Sequence, residues 1–216
     1  MTDQTIALVT GATRGLGHAT ALGLARRGAH VVALARTTGA LEELADAIDE
    51  TPGSSTLVPL DVTDDDGLAR MCRAIHDRWG RLDLLVHCAA HAAPLSMADH
   101  VTAKDLDRCM AVNARATQRL IFMCAPLLRA APAGHAVFAI DDRAGEPFFG
   151  AYGASKAAAG AIAESWRREC ERIGPKVTLF RPAPMPTGLR ARFFPGEDRG
   201  VLAAPADEAE RLLSLL

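Results

Sequence analysis

An all-apolar pentapeptide followed by a glycine-rich turn constrains this chain more than any other feature. Ile6-Ala7-Leu8-Val9-Thr10 lacks polar alternation and reads as a strand covered on both faces. Thr10-Gly11-Ala12-Thr13-Arg14-Gly15-Leu16-Gly17 follows, and from Gly17 to Arg27 Ala and Leu recur at helical spacing. Glycine takes positive φ and has no side chain, so such a backbone can approach a pyrophosphate seated at a helix N-terminus. A glycine cluster alone is weak evidence. Between a buried strand and a helix it points to a dinucleotide site contacted by Gly11, Thr13, Arg14, Gly15, Leu16 and Gly17. The bland alternative is a tight turn that merely needs glycine.

The rest of the chain repeats the strand-then-helix theme. Strands are expected over 30–35, 55–60, 82–88, 135–140 and 176–180, separated by helices over 40–50, 64–78, 103–130 and 152–173. Asp64 is positioned to cap the third helix. Strands separated by helix-length segments require crossovers, hence a parallel, doubly wound α/β sheet of Rossmann type. Nothing marks a linker, so residues 1–216 are read as one domain. At 49% hydrophobic and 5% aromatic, the chain suits small-residue helices packed closely on a sheet. A net charge of −2 gives no general attraction for nucleic acid. No apolar run reaches the about 18 residues of a membrane span, and no basic leader precedes the first strand. Five cysteines show no paired or metal-ligand spacing, and the seven histidines form no metal motif. A cytoplasmic, metal-free protein is expected.

The tip of the second strand, Leu34-Ala35-Arg36, lacks the carboxylate that would accept the ribose hydroxyls of NAD. Arg36, helped by Arg14, favours a 2′-phosphate, so NADP(H) is expected and NAD(H) remains possible; solvent-facing arginines are the bland alternative. Asp61, after the third strand, is placed to accept from the adenine amino group or to act as a simple cap. Further along, Tyr152-Gly-Ala-Ser-Lys156 sets a phenol and an ammonium four apart on one helix face. A nearby ammonium favours the phenolate, so Tyr152 is a candidate to exchange a proton with an alcohol or carbonyl.

Together the TGxxxGxG turn and the YxxxK pair resemble the short-chain dehydrogenase/reductase family across essentially the whole sequence. Gly150–Lys156 and Thr187–Asp198 look most like a bacterial branch of little-characterised oxidoreductases. The resemblance implies that Tyr152 is the general acid/base and that Lys156 binds the nicotinamide ribose and lowers the tyrosine pKa. It implies that Asn113 holds a water in the proton relay. Val62, Cys88, Ala89, Ala90, Pro182 and Thr187 join the cofactor contacts on the same ground. It further implies a homodimer or homotetramer built on the two long helices, and a small-molecule carbonyl or alcohol substrate. It also implies a strand order of 3-2-1-4-5-6. After the helix expected over 204–216, no residues remain for the family's seventh strand, so six strands are expected and the last would have an open edge.

Departures from the family's pattern fall at three places. The usual Asn-Asn-Ala-Gly reads His87-Cys88-Ala89-Ala90, and the usual Pro-Gly reads Pro182-Ala183. More consequentially, no Ser or Thr stands between 138 and 152, where the family carries its catalytic serine. The position falls on Ala139, Asp141 or Asp142. An ionised carboxylate cannot donate to a ketone oxygen and disfavours an oxyanion. It could instead orient a substrate hydroxyl or cation; an Asp142–Arg143 or Asp141–Arg181 ion pair is the bland alternative. Phe148, Phe149, Phe193 and Phe194 flank the expected substrate cleft or pack the core, and His87 and His91 lie near its rim. The leading reading is an NADP-preferring oxidoreductase. Its rivals are a catalytically impaired dinucleotide-binding protein with a regulatory or scaffolding role, and a nucleotide-sugar epimerase or dehydratase on the related extended fold.

Overall fold

The structure is a computed structural model and describes residues 4–216. Six strands form one parallel sheet: β1 (Ile6–Thr10), β2 (His30–Ala35), β3 (Ser54–Pro59), β4 (Leu84–His87), β5 (His135–Ala139) and β6 (Lys176–Phe180). Their order is β3-β2-β1-β4-β5-β6, as expected, and no seventh strand occurs among the described residues. Parallel neighbours need crossovers. These are α1 (Gly15–Arg26), α2 (Thr38–Asp49), α3 (Asp65–Trp79), the α4–α5 pair (Ala103–Cys109 and Ala116–Ala130) and α6 (Gly150–Cys170). Two further helices, α7 (Gly188–Phe193) and α8 (Pro205–Leu213), follow β6.

Strand residues alternate between two cores, as the twofold period of a strand requires. Ile6 and Leu8 of β1, Leu85 of β4 and Phe138 of β5 face the core shared with α3, α5 and α6. Ala7 and Val9, Val86 and Val137 face the opposite core, shared with α1, α2 and α8. This two-sided burial is why the strands read as apolar runs rather than alternating ones. Asp64 caps α3 as expected, accepting from the Gly67 N–H at 2.9 Å.

One element departs from its sequence reading. The helix expected over 103–130 is interrupted by a π-helical turn, Met110–Arg115. Asn113 sits in that turn, buried against the loop after β4. Its Oδ1 accepts from His91 N at 2.8 Å and its Nδ2 donates to His91 O at 2.9 Å. The extra residue in the turn lets a helix side chain satisfy both backbone groups of a loop residue, the setting in which π turns recur.

Candidate active site

The strand order reverses between β1 and β4, and a ligand crevice opens at the carboxyl ends of such strands. A cavity of about 360 Å³ lies there, a size suited to a small-molecule site. The glycine turn closes one end and the Tyr152–Lys156 face of α6 the other. Every residue expected to contact a cofactor lines this cavity, including Val62, Cys88, Ala89, Ala90, Pro182 and Thr187.

Two glycines of the turn hold positive φ. Gly11 has φ +68°, and a Cβ there would stand 2.9 Å from the Ala89 N, so only glycine lets the β1 turn abut the β4 turn. Gly15 has φ +53°, and its Cβ would meet Thr187 Cγ2 at 2.9 Å, which seats the segment after β6 on the turn. The N-cap of α1, Arg14, makes no side-chain cap and the first turn holds no acid. Its leading N–H groups are therefore available to an anion.

Arg36 stands at the β2 tip and lines the cavity, as expected. Asp61 accepts from Thr63 N at 2.9 Å, from Thr63 Oγ1 at 2.8 Å and from Arg108 Nη2 at 2.8 Å; Arg36 is 3.9 Å away. Burial works against its charge, but the bonds from Thr63 and Arg108 outweigh burial and hold the carboxyl below its ordinary value. Sequence reasoning missed Arg108. So it did Arg192, whose Nη1 donates to Ala92 O at 3.1 Å and ties α7 across the cavity mouth.

At the other end Tyr152 is 3% exposed and its hydroxyl donates to Asp141 Oδ2 at 2.9 Å. Of the candidates for the missing serine, Asp141 therefore faces the phenol. Burial, then the charge of Asp141 and its hydrogen bond, push the phenol well above its ordinary pKa. That corrects the expectation of a tyrosine pKa lowered by Lys156. The lysine Nζ donates to Ala139 O at 2.7 Å, and burial lowers its own pKa against the opposing pull of Asp141 and Cys88. Asp142 points away and forms a two-point ion pair with Arg181, at 2.6 and 2.9 Å. The partners expected of the two aspartates are thus exchanged: Asp141 lies 3.8 Å from Arg143 Nε. Asn113 does not line the cavity; besides His91 it bonds Ser155 Oγ at 2.8 Å, so its amide fixes the loop and α6.

The altered turn after β4 is held by other means. Ala89 N donates to Thr10 Oγ1 at 3.3 Å, and the same hydroxyl shares a hydrogen bond of 2.7 Å with His87 Nδ1. His87 is 5% exposed and does not line the cavity, so its ring packs in the core; burial pushes its pKa down to about 3. Burial pushes the Cys88 thiol up to about 12, against the opposing pull of Lys156. On the substrate side Phe149, Phe193 and Tyr152 pack together with Ala92, the Phe193 ring 4.9 Å from that of Tyr152. Phe148 instead turns outward, 56% exposed. Among the described residues no helix is long and apolar enough to cross a membrane.

The family described as short chain dehydrogenase matches residues 5–198. The chain is 32% identical over 213 residues to the uncharacterised oxidoreductase YciK of Escherichia coli K12, across 95% of this chain and 83% of that one. A short chain dehydrogenase of Salmonella enterica serovar Typhi superposes with a TM-score of 0.92 at 30% identity, over 98% of this chain and 89% of that one. A short chain dehydrogenase of E. coli CFT073, solved in complex with NADPH, does so with a TM-score of 0.89 at 29% identity, over 100% and 91%. Matches that run through nearly the whole chain make this protein a member of the short-chain dehydrogenase/reductase family.

Proposed function

We propose that the protein is an NADP-preferring oxidoreductase, working as one domain, that moves hydride between nicotinamide C4 and a small carbonyl or secondary alcohol. The observation that carries this reading is that one cavity has an uncapped helix N-terminus at one end and the Tyr152–Lys156 pair at the other. The donor set fits the cofactor. The first N–H groups of α1 suit the pyrophosphate, Arg36 and Arg14 suit a 2′-phosphate, and the NADPH held by the E. coli CFT073 relative supports the same choice.

When bound, the nicotinamide supplies or accepts the hydride. Tyr152 gives or takes the proton at its Oη, and Lys156 holds the ribose beside it. Pro182 and Thr187, which line the cavity, would close over the carboxamide. Asn113 serves this chemistry at one remove, by fixing the backbone of His91. Much of the rate comes from holding the reacting atoms in line. Self-association through the α4–α5 and α6 helices is part of the proposal; Phe122 on α5 is 64% exposed, and sedimentation of the wild-type chain reports the outcome.

The Asp141 carboxylate, standing where a donor to the substrate oxygen is expected, favours one second reading: a dinucleotide-binding protein with little turnover. Fluorescence titration with NADPH and NADH, followed by the nicotinamide absorbance across ketones, aldehydes and alcohols, separates the two. Tight NADPH binding with turnover of a carbonyl or alcohol is expected. Tight binding without turnover on any class favours the second reading, and tighter NADH binding contradicts the assignment of Arg36.

A further inference from the structure

We propose that Asp141 is the proton partner of Tyr152, taking the phenolic proton and exchanging it with water through a second cavity. Its direction of use rests on the oxidoreductase reading; the pairing does not. The Tyr152 hydroxyl donates to Asp141 Oδ2 at 2.9 Å, and no other hydrogen bond is made by that hydroxyl among the described residues. Behind Asp141, between α6 and the ends of β5 and β6, lies a cavity of about 390 Å³ lined by Ile140, Asp141, Asp142, Lys156, Gly160 and Arg181. Asp141 lines both this cavity and the cofactor cavity. The Asp142–Arg181 pair at its rim is exposed to solvent. The side chain of Asn113, by contrast, is committed to His91 and Ser155.

The charged groups facing the pair come from several elements. Arg143 approaches Asp141 from the loop before α6, Lys156 from α6 itself and Arg181 from the end of β6. The Cys109 thiol faces Tyr152 from α4.

In alcohol oxidation the substrate O–H proton passes to Tyr152 Oη as the tyrosine's own proton passes to Asp141 Oδ2. The substrate C–H electron pair leaves as hydride to NADP⁺, a carbonyl forms, and Asp141 releases its proton to water. Reduction runs the same steps backwards, from a protonated Asp141. In reduction, a phenol that gave its proton to the carbonyl while Asp141 stayed ionised would leave a phenolate against a carboxylate.

Tyr152 is the chain's only tyrosine, so the tyrosinate absorption band reports it alone, without cofactor or substrate. In variants shown folded by circular dichroism, Asp141→Asn and Asp141→Ser should lower the phenol's ionisation midpoint by about 1–3 pH units. An unmoved midpoint overturns the pairing. Asp141→Asn keeps an acceptor oxygen but cannot carry a proton. Its kcat for alcohol oxidation should therefore fall about 10²–10⁴-fold at little-changed KM. Asp141→Gly should be partly restored by added formate entering the second cavity. Wild-type kcat in Asp141→Asn overturns the proton transfer. If the wild-type protein oxidises no alcohol and reduces no carbonyl, the oxidoreductase reading fails instead, while the tyrosinate titration still decides the pairing.

Discussion

Arg36 and Arg108 reach Asp61 from different elements, and only one of them was legible in the sequence. Arg36 stands at the end of an apolar strand where a carboxylate would have spoken for NAD, so its position carries meaning. Arg108 lies on α4 just before the π turn, and helical periodicity alone does not say which way that face turns. The two aspartates show the same limit. Sequence placed Asp141 and Asp142 near the phenol, but adjacent residues at a strand end face opposite ways, and only the structure shows which meets Tyr152. Arg36→Ala should weaken NADPH binding about tenfold and leave NADH binding little changed, an effect of ~1.4 kcal/mol. That modest size follows from the exposure of Arg36 and the screening it brings. Fluorescence titration checks it; an equal loss for both cofactors would place Arg36 away from the 2′-phosphate.

The elements divide by whether their register is set locally. The central strands were legible because burial on both faces leaves them mostly apolar, and α1, α3 and α6 because small and apolar residues recur at helical spacing. The π turn was not, since its cause is Asn113 reaching a loop residue far off in the chain. Helix α8 holds a second such contact. Glu208, 6% exposed, accepts from Ala183 N at 2.9 Å and pairs with Arg211 at 2.6 Å. It thereby ties α8 to the segment that carries Pro182 and Thr187. The Arg211 bonds hold its carboxyl below the usual range despite burial. Glu208→Ala strips a partner from a part-buried N–H and should destabilise the fold by about 1–3 kcal/mol. Urea unfolding measures the loss, and NADPH affinity should fall with it because the closing segment loosens. Unchanged stability would show that α8 is held by its apolar contacts with α1 alone.

At the scale of the whole molecule, buried titratable groups give stability a dome in pH. His87 and His135 are buried, and burial holds them at about 3 and about 4. Below about pH 6.5 the unfolded chain takes up protons that the folded rings refuse, so stability falls as pH drops from there toward those values. The loss amounts to as much as about 1.4 kcal/mol per pH unit for each ring. Tyr152 acts with the opposite sign on the alkaline side. Its folded pKa is raised, so its contribution is complete below about pH 10 and is lost as pH rises beyond it. The urea midpoint should therefore be higher at pH 8 than at either pH 5 or pH 11, and Asp141→Ser should flatten the alkaline limb; a midpoint equal at pH 5 and pH 8 would contradict the neutral burial of the histidines. The parallel doubly wound sheet was readable as a whole-chain pattern and its strand order from the family resemblance, whereas the reacting end depends on which of several polar side chains turn inward. That end carries the central claim, and Tyr152→Phe tests it most directly. With a substrate that the wild-type protein turns over, nicotinamide absorbance should show turnover abolished in Tyr152→Phe while NADPH fluorescence shows binding unchanged; turnover at the wild-type rate would contradict the account.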